Sequence, residues 1–120
     1  TGSMTAEMVK YMTNTFLATK VSFANEMKMI CDELNIDYDK VVEYSTYDER
    51  LGKSHWSVPG PDGHYGYGGS CFPKDINALI KVAEKWDIPS NVLSAAWETN
   101  LDVRPEEDWK ELKGRAVVDE

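Results

Sequence analysis

The most constraining feature of this chain is a run of about thirty residues, Thr5 to Leu34, that contains no proline and no glycine. Apolar residues recur through it as Met8, Met12, Phe16, Leu17, Val21, Ala24, Met27, Ile30 and Leu34, close to the three-four spacing of one helical face. Val9, Phe23 and Met29 lie off that stripe, so more than one face of the helix is expected to be covered. Thirty residues at a rise of about 1.5 Å make a rod of roughly 45 Å. A domain of this size has a radius of gyration near ~14 Å, so the rod is longer than the domain is wide. That excess predicts a homodimer, with the long helix packing against a partner subunit as well as its own domain.

Beyond the rod the chain breaks at Asn35-Ile36-Asp37, where Asp37 can cap a second helix over Tyr38–Tyr47. The segment Lys53 to Ser70 holds two prolines and five glycines with no sustained period and reads as a long loop, a kind that tends to be functional. Pro73 suits the first turn of a third helix, Pro73 to Trp86, with Ile76, Leu79, Ile80 and Ala83 as its apolar face. Pro89-Ser90 reads as a stop and an N-cap, followed by a fourth helix over Asn91–Val103 and a short turn at Arg104-Pro105-Glu106-Glu107. Lys113-Gly114-Arg115-Ala116-Val117-Val118 resembles the entry to a strand. The predicted fold class is all-α: a long central helix packed with three or four shorter helices and a glycine-rich active-site loop. The organisation predicted is a helical domain over residues 4–112, a cloning remnant at 1–3, and the start of a linker toward a further domain at 113–120.

Composition narrows the function. A net charge of −8 over 120 residues argues against a nucleic-acid-binding face and against adsorption to an anionic membrane. No window approaches eighteen consecutive apolar residues, so no membrane span is expected. No apolar stretch of a secretion signal is visible at the N-terminus. Cys31 and Cys71 form no pairing pattern, which fits a reducing, cytoplasmic setting with both thiols reduced. His55 and His64, nine residues apart in a glycine-proline loop, make a poor metal site, and no metal is expected.

The chemistry concentrates in one stretch, Pro59 to Asp75. Five of the eight glycines of the chain lie between Gly60 and Gly69, and Cys71, Pro73, Lys74 and Asp75 follow. A thiol at a helix N-terminus sits where the dipole favours its thiolate. Cys71 is therefore a candidate nucleophile, the alternative being a buried structural cysteine. Lys10 and Asn14 share a helix face and could hold a water or an oxyanion, or form a solvated strip. Asp75 could orient a water or tune a neighbouring lysine, or simply stabilise the first turn of its helix. Arg50 could clamp a phosphate or carboxylate, or be a surface arginine. Tyr65 and Tyr67 could stack on a base or sugar, or pack the loop. The glycines form neither a dinucleotide fingerprint nor a P-loop. No cofactor-binding domain is visible in the chain itself.

Together these residues resemble the UDP-glucose/GDP-mannose dehydrogenase family. Gly66-Tyr67-Gly68-Gly69-Ser70-Cys71-Phe72-Pro73-Lys74-Asp75 is similar to that family's glycine-rich loop and catalytic cysteine. The segment from Ala6 to Ala18 is similar to the start of its central helix, and Asp48-Glu49-Arg50-Leu51-Gly52 matches a third segment in the same order. The resemblance implies the helical central domain of a three-part enzyme. The activity implied is NAD-dependent oxidation of a sugar C6 alcohol to a carboxylate, UDP-glucose to UDP-glucuronate in the first instance, with NAD bound mainly by a domain not present in this chain. It assigns Cys71 as nucleophile, Lys10 and Asn14 as stabilisers of developing oxyanion charge, and Asp75 to proton transfer or water positioning. Arg50 would reach the substrate of a neighbouring subunit. Tyr65, Gly66, Tyr67, Gly68 and Gly69 would contact the nucleotide sugar, with the glycines letting the loop close over it. The run Lys53 to Gly63 departs from the loop of the best-known UDP-glucose enzymes, which leaves the sugar and base open. Two other readings stand beside this one: a non-catalytic helical dimerisation module that retains the motif, and a thiol enzyme of another class using His64 as base.

Overall fold

The computed structural model describes residues 2–69, 71–105 and 107. Its elements in chain order are α1 (Ser3–Glu33), α2 (Tyr38–Ser45), a 3-10 turn (Glu49–Leu51), α3 (Cys71–Lys85) and α4 (Asn91–Val103). No strand occurs among the described residues, and the chain is all-α. The strand entry expected at Lys113–Val118 lies outside the described residues, as does the whole of the linker expected at 113–120.

At 31 residues α1 matches the longest dimension of the molecule, 44 Å. Both α3 and α4 pack along it, α3 also touches α4, and α2 packs against α1. The face that α1 turns inward coincides with the apolar stripe only at Ala24, with Val21 and Met27 partly buried beside it. Its buried residues are Thr15, Ala18, Ser22, Ala24, Asn25 and Cys31. Met8, Met12, Phe16, Ile30 and Leu34, all on the expected core stripe, are exposed. Small side chains let two helices approach closely, and the large ones are left to point outward. No helix among the described residues is long and apolar enough to cross a membrane.

Two apolar clusters hold the bundle. Ala18, Tyr67, Ile76 and Ala96 form the first, flanked by Val21, Phe72, Ile80, Leu93 and Trp97. Ala24, Cys31, Tyr38 and Val58 form the second, under Met27, Val41, Val42 and Trp56. Each cluster includes one residue of the long loop, Tyr67 or Val58, so the loop is a structural part of the core rather than an appendage.

Local signals explain the helix ends. Asp37 caps α2 by accepting from Asp39 N–H at 3.1 Å and Lys40 N–H at 3.4 Å. Ser90 stands at the N-cap of α4 but makes no cap hydrogen bond; its hydroxyl lies 3.1 Å from the Ser94 hydroxyl instead. α3 begins at Cys71, two residues ahead of the expected Pro73. A proline is tolerated anywhere in the first turn, where N–H groups have no intrahelical partner.

Candidate active site

The stretch from Gly52 to Gly69 contains no helix, yet it is tied down along its length. At its start Lys20 Nζ donates to the Leu51 carbonyl at 2.8 Å and lies 5.0 Å from the centre of the Trp56 ring. Trp56 Nε1 donates to the Gly52 carbonyl at 2.9 Å, and the Tyr38 hydroxyl donates to the Trp56 carbonyl at 2.7 Å. Burial, with a smaller push from Asp39 and Cys31, raises the Tyr38 hydroxyl to about 12.

The middle of the loop is held by three buried polar side chains, each at most 2% exposed: Asn25, Asn100 and Arg104. Asn25 Oδ1 accepts from Gly66 N–H at 3.0 Å. Asn100 takes both backbone groups of Tyr67: Oδ1 accepts its N–H at 2.7 Å, and Nδ2 donates to its carbonyl at 3.0 Å. Arg104 donates through Nη1 to the Tyr65 carbonyl at 3.2 Å and through Nη2 to Asp62 Oδ2 at 2.7 Å. Partial burial works to raise the Asp62 carboxyl. Hydrogen bonds from Arg104 and from the His64 N–H outweigh it and hold the group below its ordinary value. Gly66 has φ +70°, and a Cβ there would run into Asn100 Oδ1 and come within 3.0 Å of Val103 Cγ2. Only glycine fits between the loop and α4 at this point. Gly69 also has a positive φ, +74°, but open space surrounds it.

The Tyr67 ring is buried, 6.0 Å from Phe72 and 6.1 Å from Trp97. Burial pushes its hydroxyl well up, and the neighbouring Ser22 hydroxyl offsets only part of that. Tyr65, by contrast, is 40% exposed. Beside the loop lies a cavity of about 370 Å³, walled by Val21, Ser54, His55, Ser57, Gly60, Pro61, Asp62, Gly66, Tyr67, Gly68 and Phe72. Its size suits a small-molecule ligand. The His55 ring lies 5.9 Å from Phe72, the residue after Cys71.

Cys71 is exposed as the first residue of α3, whereas Cys31 is buried, and neither is in a disulfide. One turn on, Asp75 is fully buried. Asn14 Nδ2 donates to its Oδ2 at 2.7 Å. Lys74 Nζ lies 3.3 Å from its Oδ1, an oxygen that accepts no well-formed hydrogen bond. The neighbouring Asp75 carboxylate holds the Lys74 ammonium above its ordinary value, burial opposes it, and the Cys71 thiol adds a small upward push. The structure thus brings Asn14, Asp75, Lys74 and Cys71 together across the α1–α3 contact. Lys10 lies exposed one turn ahead of Asn14 on α1. Arg50 stands apart: its side chain is 89% exposed and paired with Asp48, with Nη2–Oδ2 at 2.7 Å and Nε–Oδ1 at 3.0 Å. The sequence alone does not single out Asn25, Asn100 or Arg104. The signal available for Asn25 was its place three residues after Ser22 and seven after Ala18, on a face of small residues.

Comparisons with known proteins place the chain in a family. Residues 4–102 match the family described as the UDP-glucose/GDP-mannose dehydrogenase family, central domain, and the chain belongs to that family. It is 41% identical over 95 residues to the UDP-glucose 6-dehydrogenase TuaD of Bacillus subtilis, covering 79% of this chain and 20% of the relative. It is 43% identical over 99 residues to a UDP-glucose 6-dehydrogenase of Pseudomonas aeruginosa, covering 82% of this chain and 21% of the relative. Among solved structures, a UDP-glucose dehydrogenase from the hyperthermophilic archaeon Pyrobaculum islandicum superposes with a TM-score of 0.72 at 38% identity. That match covers 79% of this chain and 21% of the other. The chain therefore spans about a fifth of the length of these relatives.

Proposed function

We propose that this chain is the substrate-contacting central domain of an NAD-dependent nucleotide-sugar 6-dehydrogenase, with UDP-glucose as its substrate and UDP-glucuronate as its product. The observation that carries the reading is the Asn14–Asp75–Lys74 cluster beneath an exposed Cys71 at the start of α3.

The chemistry divides into two oxidations. When bound, mainly by a domain not present in this chain, NAD would supply the hydride acceptor for both. In the first, the C6 alcohol loses a proton and a hydride to give the aldehyde. The Cys71 thiolate adds to the aldehyde carbon, forming a thiohemiacetal. Loss of the second hydride leaves a thioester, and water cleaves it to the carboxylate and the thiol. Lys10 and Asn14 stabilise negative charge that develops on the sugar oxygen, the work of a pre-placed cation and amide donor. Asp75 positions the water or moves its proton. The 370 Å³ cavity beside the loop receives part of the nucleotide sugar, with Tyr65, Gly66, Tyr67, Gly68 and Gly69 along its approach. Arg50 serves the site of a neighbouring subunit; its exposure supports that role, and it would exchange its Asp48 partner for a phosphate or carboxylate. The exposed apolar residues of α1, Met8, Met12 and Phe16 among them, support a homodimer through that helix. The setting is cytoplasmic.

The test is to join the chain to an NAD-binding domain of the family and supply NAD with UDP-glucose or GDP-mannose. The reading expects NADH with UDP-glucose and a uronate product. NADH with neither sugar nucleotide, from a folded and NAD-binding protein, contradicts it.

A further inference from the structure

We propose that Asn100 on α4 is a positioning residue for the candidate nucleophile, acting through Tyr67, with Asn25 and Arg104 bracing the two residues that precede it. Nothing in the reaction scheme above requires these three side chains, yet each is essentially withdrawn from solvent. A buried amide or guanidinium has to find partners, and these find theirs on the backbone of three consecutive loop residues, Tyr65, Gly66 and Tyr67.

The path from Asn100 to the thiol runs through ring packing. Asn100 fixes both the N–H and the carbonyl of Tyr67. That sets where the Tyr67 ring leaves the backbone, and the ring meets Phe72 edge-on at 6.0 Å. Phe72 follows Cys71 in the first turn of α3. A shift of Tyr67 is therefore passed to the turn that presents the thiol. The absence of room for a Cβ at Gly66 shows how closely α4 and the loop meet, so Asn100 has no slack in which to hold Tyr67 loosely. The loop consequently has a fixed half, through Tyr67, and any rearrangement about a bound sugar is confined to the residues after it. At Gly66 itself the glycine answers a steric demand.

The consequence for Cys71 rests on reading that residue as the nucleophile, whereas the clamp itself does not. The test uses the chain as it stands, with residue-resolved amide exchange and iodoacetamide alkylation of Cys71. In the unsubstituted chain the Gly66 and Tyr67 amides should exchange far more slowly than that of Gly69. Asn100→Asp keeps the oxygen that accepts from Tyr67 N–H and removes the donor to its carbonyl. Exchange at Tyr67 should rise about tenfold to a hundredfold, the range expected for leaving one buried acceptor unsatisfied. The amides of Ile76 and Ala96 in the core should stay unchanged, and the Cys71 alkylation rate should shift together with Tyr67. A variant that only loosened the fold would move all these amides alike. Fast exchange at Gly66 and Tyr67 in the unsubstituted chain overturns the clamp, even if Asn100→Asp fails to fold. Lost protection at Tyr67 with an unaltered Cys71 rate overturns its action on the thiol. Failure of the nucleophile assignment would show separately, as acid formation that survives Cys71→Ala.

Discussion

Replacing Gly66 by alanine should be the most damaging single-methyl change in the loop. Two costs combine. An alanine at φ +70° sits in the left-handed region at about 1 kcal/mol. Its Cβ would also displace the Asn100 side chain, which would lose its two bonds to Tyr67, each worth about 1 kcal/mol and more when the group left behind is buried. The total is about 3–4 kcal/mol. In a chain of this length each kcal/mol moves the melting temperature by roughly 3–5 °C, so Gly66→Ala should melt at least ~10 °C lower. Gly69→Ala is the matched control. Its φ is +74° and nothing lies within 4 Å of the added Cβ, leaving only the backbone cost of about 1 kcal/mol. Thermal melts followed by circular dichroism, with urea titrations for the free energies, give both numbers. Equal losses at the two positions would refute the claim that α4 and Asn100 close over the loop at Gly66.

Other consequences can be checked on the same material. Asn14→Ala removes the amide donor from a fully buried carboxylate and should cost about 2–3 kcal/mol in urea unfolding, whatever its effect on catalysis. Under native conditions iodoacetamide should add once per chain, at exposed Cys71 and not at buried Cys31, and twice after unfolding; intact mass gives the count. The Asp62 carboxyl is held below its ordinary value in the folded chain. Its stabilisation is therefore complete above about pH 4 and lost as the pH falls through the lower folded value, and Asp62→Asn should flatten that acid limb of the stability curve. Tyr38, raised to about 12 by burial, should ionise well above the ordinary tyrosine value near ~10 when the absorbance change lost in Tyr38→Phe is followed through alkaline pH. Its stabilising effect is present below about pH 10 and disappears as the pH rises through the folded value.

Much of the fold was legible in the sequence where local chemistry punctuates it. α4 has the predicted limits, Asn91–Val103, because Pro89-Ser90 and Arg104-Pro105 bracket it. α2 begins where Asp37 can cap it. The inner face of α1 was only partly legible. A stripe of large apolar residues is the usual mark of a core, and here the close approach of α3 and α4 requires Ala18, Ser22 and Asn25 instead. The motif around Cys71 stood out because glycine, cysteine, proline and lysine are crowded together. The residues that hold it did not. Asn100 and Arg104 look like the polar side of a helix until the loop is seen folded against them, since their partners are backbone atoms more than thirty residues away. Side chains that bond to a distant backbone leave no periodic pattern behind.

The central claim is that the Cys71 thiol carries the sugar between two oxidations. The direct measurement is the NADH yield per UDP-glucose in the chain joined to its NAD-binding domain, with the product identified by mass. The account predicts two NADH and UDP-glucuronate for the unsubstituted protein, and no uronate for Cys71→Ala. Two NADH and undiminished uronate from Cys71→Ala would contradict it.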